Sequence, residues 1–583
     1  MHVVATAGHV DHGKSTLVRT LTGMDPDRFS EEKARGLTID LGFAWTTLPS
    51  GRELAFVDVP GHVRFIKNML AGVGAVDACL FVVAATEGWK PQSEEHLRIL
   101  ELLGARHGVV ALTKVDLVDD EWRQLAHLEL DDHLAGTFLE EAEVVDVAAN
   151  QGTGVEELRA ALDRLLSDTP TALDRQRARL WVDRSFAAKG SGTVVTGTLA
   201  GGSVAVDDEL ILLPSGRRVR IRSLQSHQSA LRRAGPGRRL AVNLTGVSHD
   251  EVARGDALVR PDQWAPTRTL DCSLTVLEAL DHDVSRRGAY QAYIGSGEHP
   301  VHLRVLGAEA LEPGTSGHVR LHLPVHLPLL PGDLFVLRES GRAETVGGGE
   351  VLDVAPVLRA SRARPSRSVD RVVAERGWVE ADVLERLTGE RRETNVGGRW
   401  VVDPKALSMT EEQVRAAVEV AGPLGLDTAT LDERQRSVLE AMDGLVVQGG
   451  RATVSGQEAD PLSGHPYVAA LEAEPFSPPP PNGVDRNELR ELGRRGLAVE
   501  KDGVWFSPKA LDEAANVVAA LLSESPEGVT VAQVRDALGT TRKYILPVLA
   551  HLDAAGVTRR RGDLRIGGPR LPSPSERSSS GEQ

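Results

Sequence analysis

The stretch GHVDHGKS, residues 8–15, constrains the fold of this chain more than any other part of its sequence. It follows the apolar run HVVATA and leads into the run STLVRTLTG, so we predict a strand, a tight loop and a helix in succession. Glycines allow such a loop to close around phosphate groups, and the N–H groups at a helix N-terminus attract anions. The spacing of Gly8, Gly13 and Lys14 therefore predicts an α/β domain that binds a nucleotide.

Two further stretches supply groups for the phosphates and for Mg²⁺. In LAFVDVPGH, residues 54–62, the Asp58 carboxylate can hold Mg²⁺ together with the Ser15 hydroxyl. In RGLTID, residues 35–40, the Thr38 hydroxyl can ligate Mg²⁺ only while a γ-phosphate is present, which predicts a switch. The expected phosphate-binding residues are Gly8, His9, Val10, Asp11, His12, Gly13, Lys14, Ser15, Thr16 and Gly61.

The stretch GVVALTKVD, residues 108–116, predicts which base is bound. We expect a buried strand that ends at Lys114 and Asp116. Guanine offers its N1–H and N2–H donors to one carboxylate, whereas adenine has no such pair of donors. Asp116 therefore predicts GTP rather than ATP as the ligand, with GDP as the product.

The length and the charge of the chain limit its other properties. A chain of 583 residues is too long for one core and suggests about four domains. The cysteines, Cys79 and Cys272, cannot form a disulfide framework, which favours the reducing cytoplasm. The sequence has neither a signal-peptide pattern nor an apolar run of membrane-spanning length, so we expect no membrane partner. The net charge of −16 restricts any nucleic-acid site to a local basic patch.

Short alternating strands with glycine-rich turns follow the nucleotide domain, which we place at residues 1–172. Examples are GTVVTGTL, DELILLPSG and VHLRVLG. Their spacing predicts two β-barrels, at residues 175–265 and 266–357.

Helices alternate with short strand pairs beyond the basic linker RASRARPSRS, residues 359–368. We predict an α+β array of about four winged-helix modules within residues 362–570, two of them degenerate, with the second position poorly filled. We also predict a hairpin in GGRWVVDPKAL, residues 397–407, and an unpacked loop in EPFSPPPPNG, residues 474–483. The tail at residues 571–583 has the composition of a disordered segment.

The last module ends in the basic stretch GVTRRRGDLRI, residues 556–566. We predict helices at 531–537 and 541–555 and then a two-stranded wing. A winged helix would recognise A-form RNA through its backbone and through splayed loop bases. The alternative is a solvated basic edge on a module that pairs with protein. The candidate RNA contacts, on the recognition helix and the wing, are Arg542, Lys543, Arg559, Arg560 and Arg561.

The nucleotide-site stretches resemble, in order and spacing, the translational GTPases of the elongation factor Tu class. The stretch GSGTVVTGTL is similar to the start of the second domain of these factors, and a GTPase followed by two barrels is the layout of carriers of aminoacyl-tRNA. Four stretches, RGLTIDLGFAW, DVPGHVRFIKNML, VDRSFAAKGSGTVVTGTL and TVGGGEVLD, look like those of the bacterial selenocysteine-specific elongation factors. This likeness covers residues 1–357 and is weaker beyond them.

The resemblance implies roles for single residues. His62 would position the attacking water and is the expected catalytic residue. Thr113 stands where the family usually has Asn, and Ala148 stands where it has Ser, so fewer hydrogen bonds are available and nucleotide affinity is expected to be weaker. The implied guanine-binding residues are Thr113, Lys114, Asp116, Ala148 and Ala149.

The resemblance also implies that Asp183, Arg184 and Arg239 line an amino-acid pocket in the first barrel. A selenol is more acidic than a thiol, so selenocysteine is an anion at neutral pH. A pocket with cations would reject serine, because serine leaves those cations unpaired. The alternative is that these arginines are solvated charges on the barrel surface.

The resemblance implies a GTP-dependent elongation factor that hydrolyses GTP on the ribosome. It would deliver selenocysteinyl-tRNA at recoded UGA codons, while its winged helices hold the selenocysteine insertion hairpin of the mRNA and so raise its local concentration. We expect a cytoplasmic monomer. Two alternatives stay open: a general aminoacyl-tRNA-carrying elongation or initiation-type GTPase, and a DNA-binding regulator gated by a GTPase.

Overall fold

The structure is a computed structural model, and it forms two compact units, residues 1–406 and 407–583. No helix in the described part of the chain has both the length and the apolar character needed to cross a membrane. The predicted tail falls outside the described residues except for its first two positions. The described residues are 2–26, 40–60, 69, 76, 78–188, 192–342, 344–455, 462 and 464–572.

A six-stranded sheet forms the first domain. Its strands are β1 His2–Ala7, β2 Gly42–Thr47, β3 Glu53–Asp58, β4 Ala78–Ala84, β5 Gly108–Thr113 and β6 Val144–Val147. Its helices are α1 Lys14–Thr22, α2 Pro91–Leu102, α3 Asp120–Leu134 and α4 Val155–Asp168. The strand order is β2-β3-β1-β4-β5-β6, and only β2 runs antiparallel to its neighbour. The carboxyl ends of the parallel strands therefore bring the predicted nucleotide loops to one edge.

Two closed six-stranded barrels follow, which confirms the predicted architecture. The first-barrel strands are β7 Arg179–Trp181, β8 Arg184–Ala188, β9 Gly192–Ala200, β10 Val204–Ala205, β11 Glu209–Leu213, β12 Arg217–Ser226, β13 Ser229–Leu231, β14 Arg233–Ala234, β15 Arg239–Thr245 and β16 Ala257–Val259. The second-barrel strands are β17 Thr267–Val276, β18 Val284–Ser285, β19 Tyr290–Ile294, β20 Gly297–Leu306, β21 Ala310–Leu311, β22 Ser316–Leu327, β23 Leu334–Glu339 and β24 Glu344–Asp353. The ring of the first barrel is β11-β16-β7-β9-β15-β12, closed by pairing of β12 with β11. The ring of the second barrel is β17-β22-β20-β19-β23-β24, closed by pairing of β24 with β17.

The first module after the barrels packs against the second barrel. Its Arg371 Nη2 donates to Asp353 Oδ2 at 2.9 Å, and Leu387 packs on the barrel core. The module elements are α5 Val369–Arg376, β25 Trp378–Glu380, α6 Ala381–Thr388 and β26 Trp400–Val402. The next helix, α7 Pro404–Ala421, contributes Val414 and Val418 to the core of the second module. The predicted hairpin at residues 397–407 is wrong, because β26 pairs instead with β25, on the far side of α6, and Pro404 begins a helix.

Three more helix-and-strand modules make up the second unit. The second and third modules contain β27 Leu426–Asp427, α8 Glu433–Leu439, β28 Leu445–Gln448, β29 Arg451–Val454, α9 Pro466–Ala473, α10 Arg486–Arg494, β30 Val499–Lys501 and β31 Val504–Phe506. The second module has a complete three-stranded sheet, β27-β29-β28, so the prediction that it is degenerate is wrong. Strands of two to four residues carry too little alternation to be recognised in a sequence.

The last module is a winged helix, as predicted. Its sheet order is β32-β34-β33, and the two predicted helices are present. Its elements are α11 Pro508–Glu524, β32 Val529–Thr530, α12 Val531–Ala537, α13 Arg542–Ala554, β33 Thr558–Arg561 and β34 Leu564–Gly567. The proline-rich loop before it has no helix or strand but is packed, contrary to prediction: Phe476 lies on the core of this module, and Tyr467 Oη donates to the Pro479 oxygen at 3.1 Å.

A buried carboxylate joins the second and third modules. Glu491 of α10 is 2% exposed and accepts from Arg451 Nη2 at 2.8 Å, Arg494 Nη2 at 2.7 Å and Arg495 Nε at 2.8 Å. Hydrogen bonding to Arg494, together with the other two arginines and against the effect of burial, lowers the pKa of Glu491 to about 2. The ionised carboxylate is therefore part of the folded state over the whole neutral range.

We expect Glu491→Gln to speed hydrogen exchange of the α10 amides about 30-fold at pH 7, corresponding to about 2 kcal/mol of local stability. Because the pKa of Glu491 is lower in the folded than in the unfolded state, its ionised carboxylate stabilises the fold at pH values above the unfolded pKa near 4.5. This stabilisation is lost as the pH falls toward the folded-state pKa of about 2. The ratio of variant to wild-type exchange rates should thus shrink between pH 5 and pH 3. The control is Glu488→Gln on the same helix, and an equal ratio at both pH values would contradict the assignment.

Candidate functional site

The loop between β1 and α1 requires glycine at its first position. Gly8 has φ of 127°, and a Cβ there would lie 2.1 Å from the Val82 carbonyl oxygen. Two side chains of α2 hold the loop: Gly8 N–H donates to His96 Nδ1 at 3.1 Å, and Val10 N–H donates to Gln92 Oε1 at 3.3 Å. Gln92 and His96 were not predicted, because their one-turn spacing on α2 is also that of ordinary core positions.

Lys14 begins α1 and folds back over this loop. Its Nζ donates to the carbonyl oxygens of Gly8 at 2.9 Å and His9 at 2.7 Å, and the residue is 6% exposed. Burial lowers the pKa of Lys14 to about 8, although the carboxylates of Asp58 and Asp11 oppose this shift. Lys14 is thus a buried cation that donates to two loop carbonyls, which a polyphosphate can replace.

Oxygen ligands suited to Mg²⁺ lie on the neighbouring elements. Asp58 ends β3, is fully buried and accepts a hydrogen bond from the Thr6 hydroxyl at 2.7 Å. Ser15 and Thr16 lie in the first turn of α1. A carboxylate and a hydroxyl are the hard oxygen donors that Mg²⁺ prefers, so the residues present fit this ion. Three predicted residues fall outside the described part of the chain: Thr38, Gly61 and His62.

The loops after β5 and β6 meet at Asp116. This residue is exposed in a short 3-10 helix, and its Oδ2 accepts from Gln151 Nε2 at 3.2 Å. The Gln151 N–H donates in turn to the Ala148 oxygen at 3.0 Å, which closes the loop that also holds Ala149. Gln151 was not predicted, and it orients the carboxylate that would face the base.

Thr113 and Lys114 connect this region to the phosphate loop. Thr113 is buried, and its hydroxyl donates to the His12 carbonyl oxygen at 2.7 Å. Lys114 adopts φ of 57°, and its Nζ lies 3.1 Å from Glu87 Oε1. Burial lowers the pKa of His12 to about 3, so this ring is neutral at pH 7 and adds no charge to the loop.

Asp183, Arg184 and Arg239 lie together where the first barrel faces β2. Asp183 accepts from both Nη atoms of Arg239, with Nη2–Oδ1 at 2.9 Å, and from the Thr196 hydroxyl at 2.6 Å. Burial opposes ionisation of Asp183, but the charge and hydrogen bonds of Arg239 hold its pKa below the usual value. Arg239, one of the two arginines predicted to line the pocket, therefore forms an ion pair with Asp183.

Phe43 of β2 forms the floor beneath both arginines. Its ring centroid lies 3.4 Å from the Arg239 Cζ and 4.9 Å from the Arg184 Cζ. The arginine side chains are only 13% and 19% exposed, so they are not solvated charges on the barrel surface. A cation over an aromatic face is stabilised by the ring quadrupole, most strongly when water is excluded.

A cavity of about 240 Å³ opens beside this cluster, between β2 and the first barrel. The rings of Trp45 and His227 stack on its wall, with centroids 5.1 Å apart and planes 2° from parallel. Phe43 and Trp45 were not predicted, because aromatic residues in a strand usually indicate core packing. His227, in the turn between β12 and β13, was not predicted either. Side chains from both the nucleotide domain and the first barrel line this cavity.

Five basic residues of the last module remain exposed. Arg542 and Lys543 begin α13, and three arginines occupy β33 at the wing. Among the residues that the structure describes, none of these five side chains is paired with a carboxylate. Behind the wing, Arg565 Nη2 does pair with Asp553 at 3.1 Å. The exposed set is Arg542, Lys543, Arg559, Arg560 and Arg561.

Models of three protein families match separate parts of the chain. They are "Elongation factor Tu GTP binding domain" over residues 1–168, "Elongation factor Tu domain 2" over 192–259 and "Elongation factor SelB, winged helix" over 520–566. These matches cover the nucleotide domain, the first barrel and the last winged helix.

Full-length relatives agree with these partial matches. The chain is 32% identical to the selenocysteine-specific elongation factor of Desulfomicrobium baculatum, over 97% of this chain and 99% of the relative. It is 30% identical to that of Escherichia coli strain K12, over 96% and 98%. A crystal structure of the bacterial selenocysteine-specific elongation factor EF-Sec matches with a TM-score of 0.70 and 27% identity, covering 97% of this chain and 99% of the other. The chain therefore belongs to the selenocysteine-specific elongation factors, a family of translational GTPases.

Proposed function

We propose that this protein carries selenocysteinyl-tRNA to the ribosome at recoded UGA codons, acting as a cytoplasmic monomer. The observation that carries the proposal is the cluster of Asp183, Arg184 and Arg239 over Phe43, beside a cavity at the edge of the nucleotide domain. A selenolate entering this cavity would meet two guanidinium groups that are largely shielded from water, where charge attraction is strong. The neutral hydroxyl of serine would be attracted to these guanidinium groups much more weakly.

The nucleotide site supplies the switch for this carrier. Lys14 and the N–H groups of the loop that begins at Gly8 would bind the phosphates, and Asp116 would bind the guanine edge. Ser15, Thr38 and Asp58 would hold Mg²⁺, which neutralises phosphate charge when bound. His62 would position the attacking water, and Gly61 would contact the γ-phosphate. Loss of that phosphate would end the contacts of Thr38 and release the tRNA.

Protection of the aminoacyl ester bond tests the carrier function directly. The protein with a non-hydrolysable GTP analogue is mixed with one tRNA charged either with selenocysteine or with serine, and the rate of ester hydrolysis is measured. We expect strong protection of the selenocysteinyl form alone. Equal protection of both forms would indicate a general aminoacyl-tRNA carrier and overturn the proposed specificity.

We also propose that the last winged helix binds the selenocysteine insertion hairpin of the mRNA. The five exposed basic side chains support this, since phosphate contacts supply most of the affinity of such modules. Binding of the hairpin would hold the carrier near one codon and raise its effective concentration there. The alternative ligands of this winged helix are a DNA duplex and a protein.

We expect the double substitution of Arg560 and Arg561 by Ala to weaken binding of a selenocysteine insertion hairpin about tenfold. The slope of log affinity against log salt should fall in magnitude by about 1 to 2, because two phosphate contacts are lost. The matched control replaces Arg218 and Arg220 by Ala, two exposed strand arginines of the first barrel. An unchanged salt slope in the wing variant would contradict an RNA-binding role, and tighter binding to duplex DNA of the same sequence would favour a DNA-binding module.

A further inference from the structure

We infer that Asp40 is a positioning residue of the aminoacyl pocket, which holds the guanidinium groups of Arg184 and Arg254 in place. This inference rests on the function proposed above. Arg254 Nη2 donates to Asp40 Oδ1 at 2.8 Å, and Arg184 Nη2 lies 3.4 Å from Asp40 Oδ2. Each oxygen of one carboxylate thus faces a different guanidinium.

The contacts of Asp40 continue into the pocket. Arg254 Nε donates to the backbone oxygen of Asp183 at 3.0 Å, and Arg184 also donates to the Leu41 oxygen. The side chains of Arg184, Asp40 and Arg254 are 19%, 23% and 30% exposed, so water screens them only in part. Asp40 therefore sets the direction in which Arg184 points over the Phe43 ring.

The charge of the cluster also depends on Asp40. Among the described residues, the Asp40 carboxylate faces the guanidinium groups of Arg184 and Arg254, and the Asp183 carboxylate faces that of Arg239. Without the Asp40 carboxylate, Arg184 and Arg254 would repel each other and lose the group that orients both.

A second ion pair between the same two domains provides a matched control. Glu53 of β3 lies 3.6 Å from Arg238 Nη2, and both side chains are more than one-third exposed. This pair adjoins Arg239 in sequence but carries its charge outside the arginine cluster. If Asp40 served only to hold the domains together, removing the Glu53 charge would have a similar effect.

The test compares full-length wild type with Asp40→Asn, Asp40→Glu and Glu53→Gln. Ester protection is measured with the GTP analogue for tRNA charged with selenocysteine or with serine. We expect Asp40→Asn to reduce the ratio of selenocysteinyl to seryl affinity about tenfold. Asp40→Glu should restore most of the ratio, and Glu53→Gln should leave it unchanged.

The outcomes separate this inference from the proposed function. If the wild type and the Asp40→Asn variant both prefer selenocysteinyl-tRNA over seryl-tRNA to the same degree, the proposed role of Asp40 is wrong. The carrier function is then unaffected. An equal loss of affinity for both charged tRNAs would also contradict this role, because Asp40 would then only stabilise the contact between the nucleotide domain and the first barrel. A wild type without selectivity would overturn the proposed function and this inference with it. GDP affinity and thermal unfolding, measured on each variant, establish that the asparagine variant is folded.

Discussion

We expect replacement of Asp116 by Asn to lower the affinity for GTP about 1000-fold and to give the protein affinity for xanthosine triphosphate. The carboxylate is exposed after β5, held by Gln151 Nε2 at 3.2 Å, and would accept from both N1–H and N2–H of guanine. Each hydrogen bond to a charged group contributes about 1.5 to 3 kcal/mol, so loss of the charge and of one acceptor is severe. Xanthine has a carbonyl oxygen in place of the guanine amino group, and an asparagine amide can donate to that oxygen.

Nucleotide affinities from fluorescence titration with labelled guanosine and xanthosine nucleotides measure this exchange of specificity. The control is Asp119→Asn, which makes the same chemical change on a carboxylate that caps α3 and accepts from the Trp122 N–H at 2.8 Å. We expect that control to keep its preference for GTP. If Asp116→Asn bound GTP as the wild type does, the guanine edge would have to lie elsewhere.

Arg239→Ala should abolish selective binding of selenocysteinyl-tRNA, with a loss of about 100-fold against a few-fold loss for seryl-tRNA. The substitution removes a cation that lies 3.4 Å from the Phe43 ring centroid and leaves Asp183, which is 7% exposed, without its main counterion. The pocket then presents a buried carboxylate to an anionic side chain, which removes its preference for an anion. The pKa of Asp183 should rise in this variant, because burial is no longer opposed by Arg239. Arg184→Ala should change the selectivity in the same direction.

Loss of stability has to be separated from loss of recognition. Removing one partner of a buried pair destabilises a fold by about 3 kcal/mol, so Arg239→Ala should lower the unfolding temperature of the barrel. The double variant Arg239→Ala with Asp183→Asn should recover much of that stability without recovering selectivity.

A structurally matched pair lies in the second barrel. Arg320 binds Asp271 through two hydrogen bonds of 2.6 and 2.8 Å, with side chains 11% and 3% exposed. Arg320→Ala should cost similar stability and leave the ratio of selenocysteinyl to seryl binding unchanged. Two results would contradict the assignment of Arg239 to the pocket. One is recovery of selectivity in the double variant Arg239→Ala with Asp183→Asn, and the other is loss of selectivity in Arg320→Ala.

Much of the architecture could be predicted because its signals are local. The phosphate loop needs glycine at Gly8 for steric reasons that involve its own backbone, and the loop lies between a strand and a helix that are both evident in the sequence. The helices of the last module carry strong periodicity, so their bounds were nearly correct. The predictions failed at short strands, where β26 pairs with β25 across an intervening helix and β27 completes a sheet with two residues.

The sequence by itself determined which chemical groups this protein has and where its backbone turns: the glycine loop, the lysine and carboxylates of the nucleotide site, the barrels and the basic wing. Those features depend on backbone sterics and hydrogen bonding over a few neighbouring residues. Only the tertiary structure decided that Phe43 lies beneath Arg184 and Arg239, that Asp183 neutralises one of them, and that Asp40 binds another. These pairings join segments far apart in the chain, and their strength depends on how much water is excluded when the domains meet.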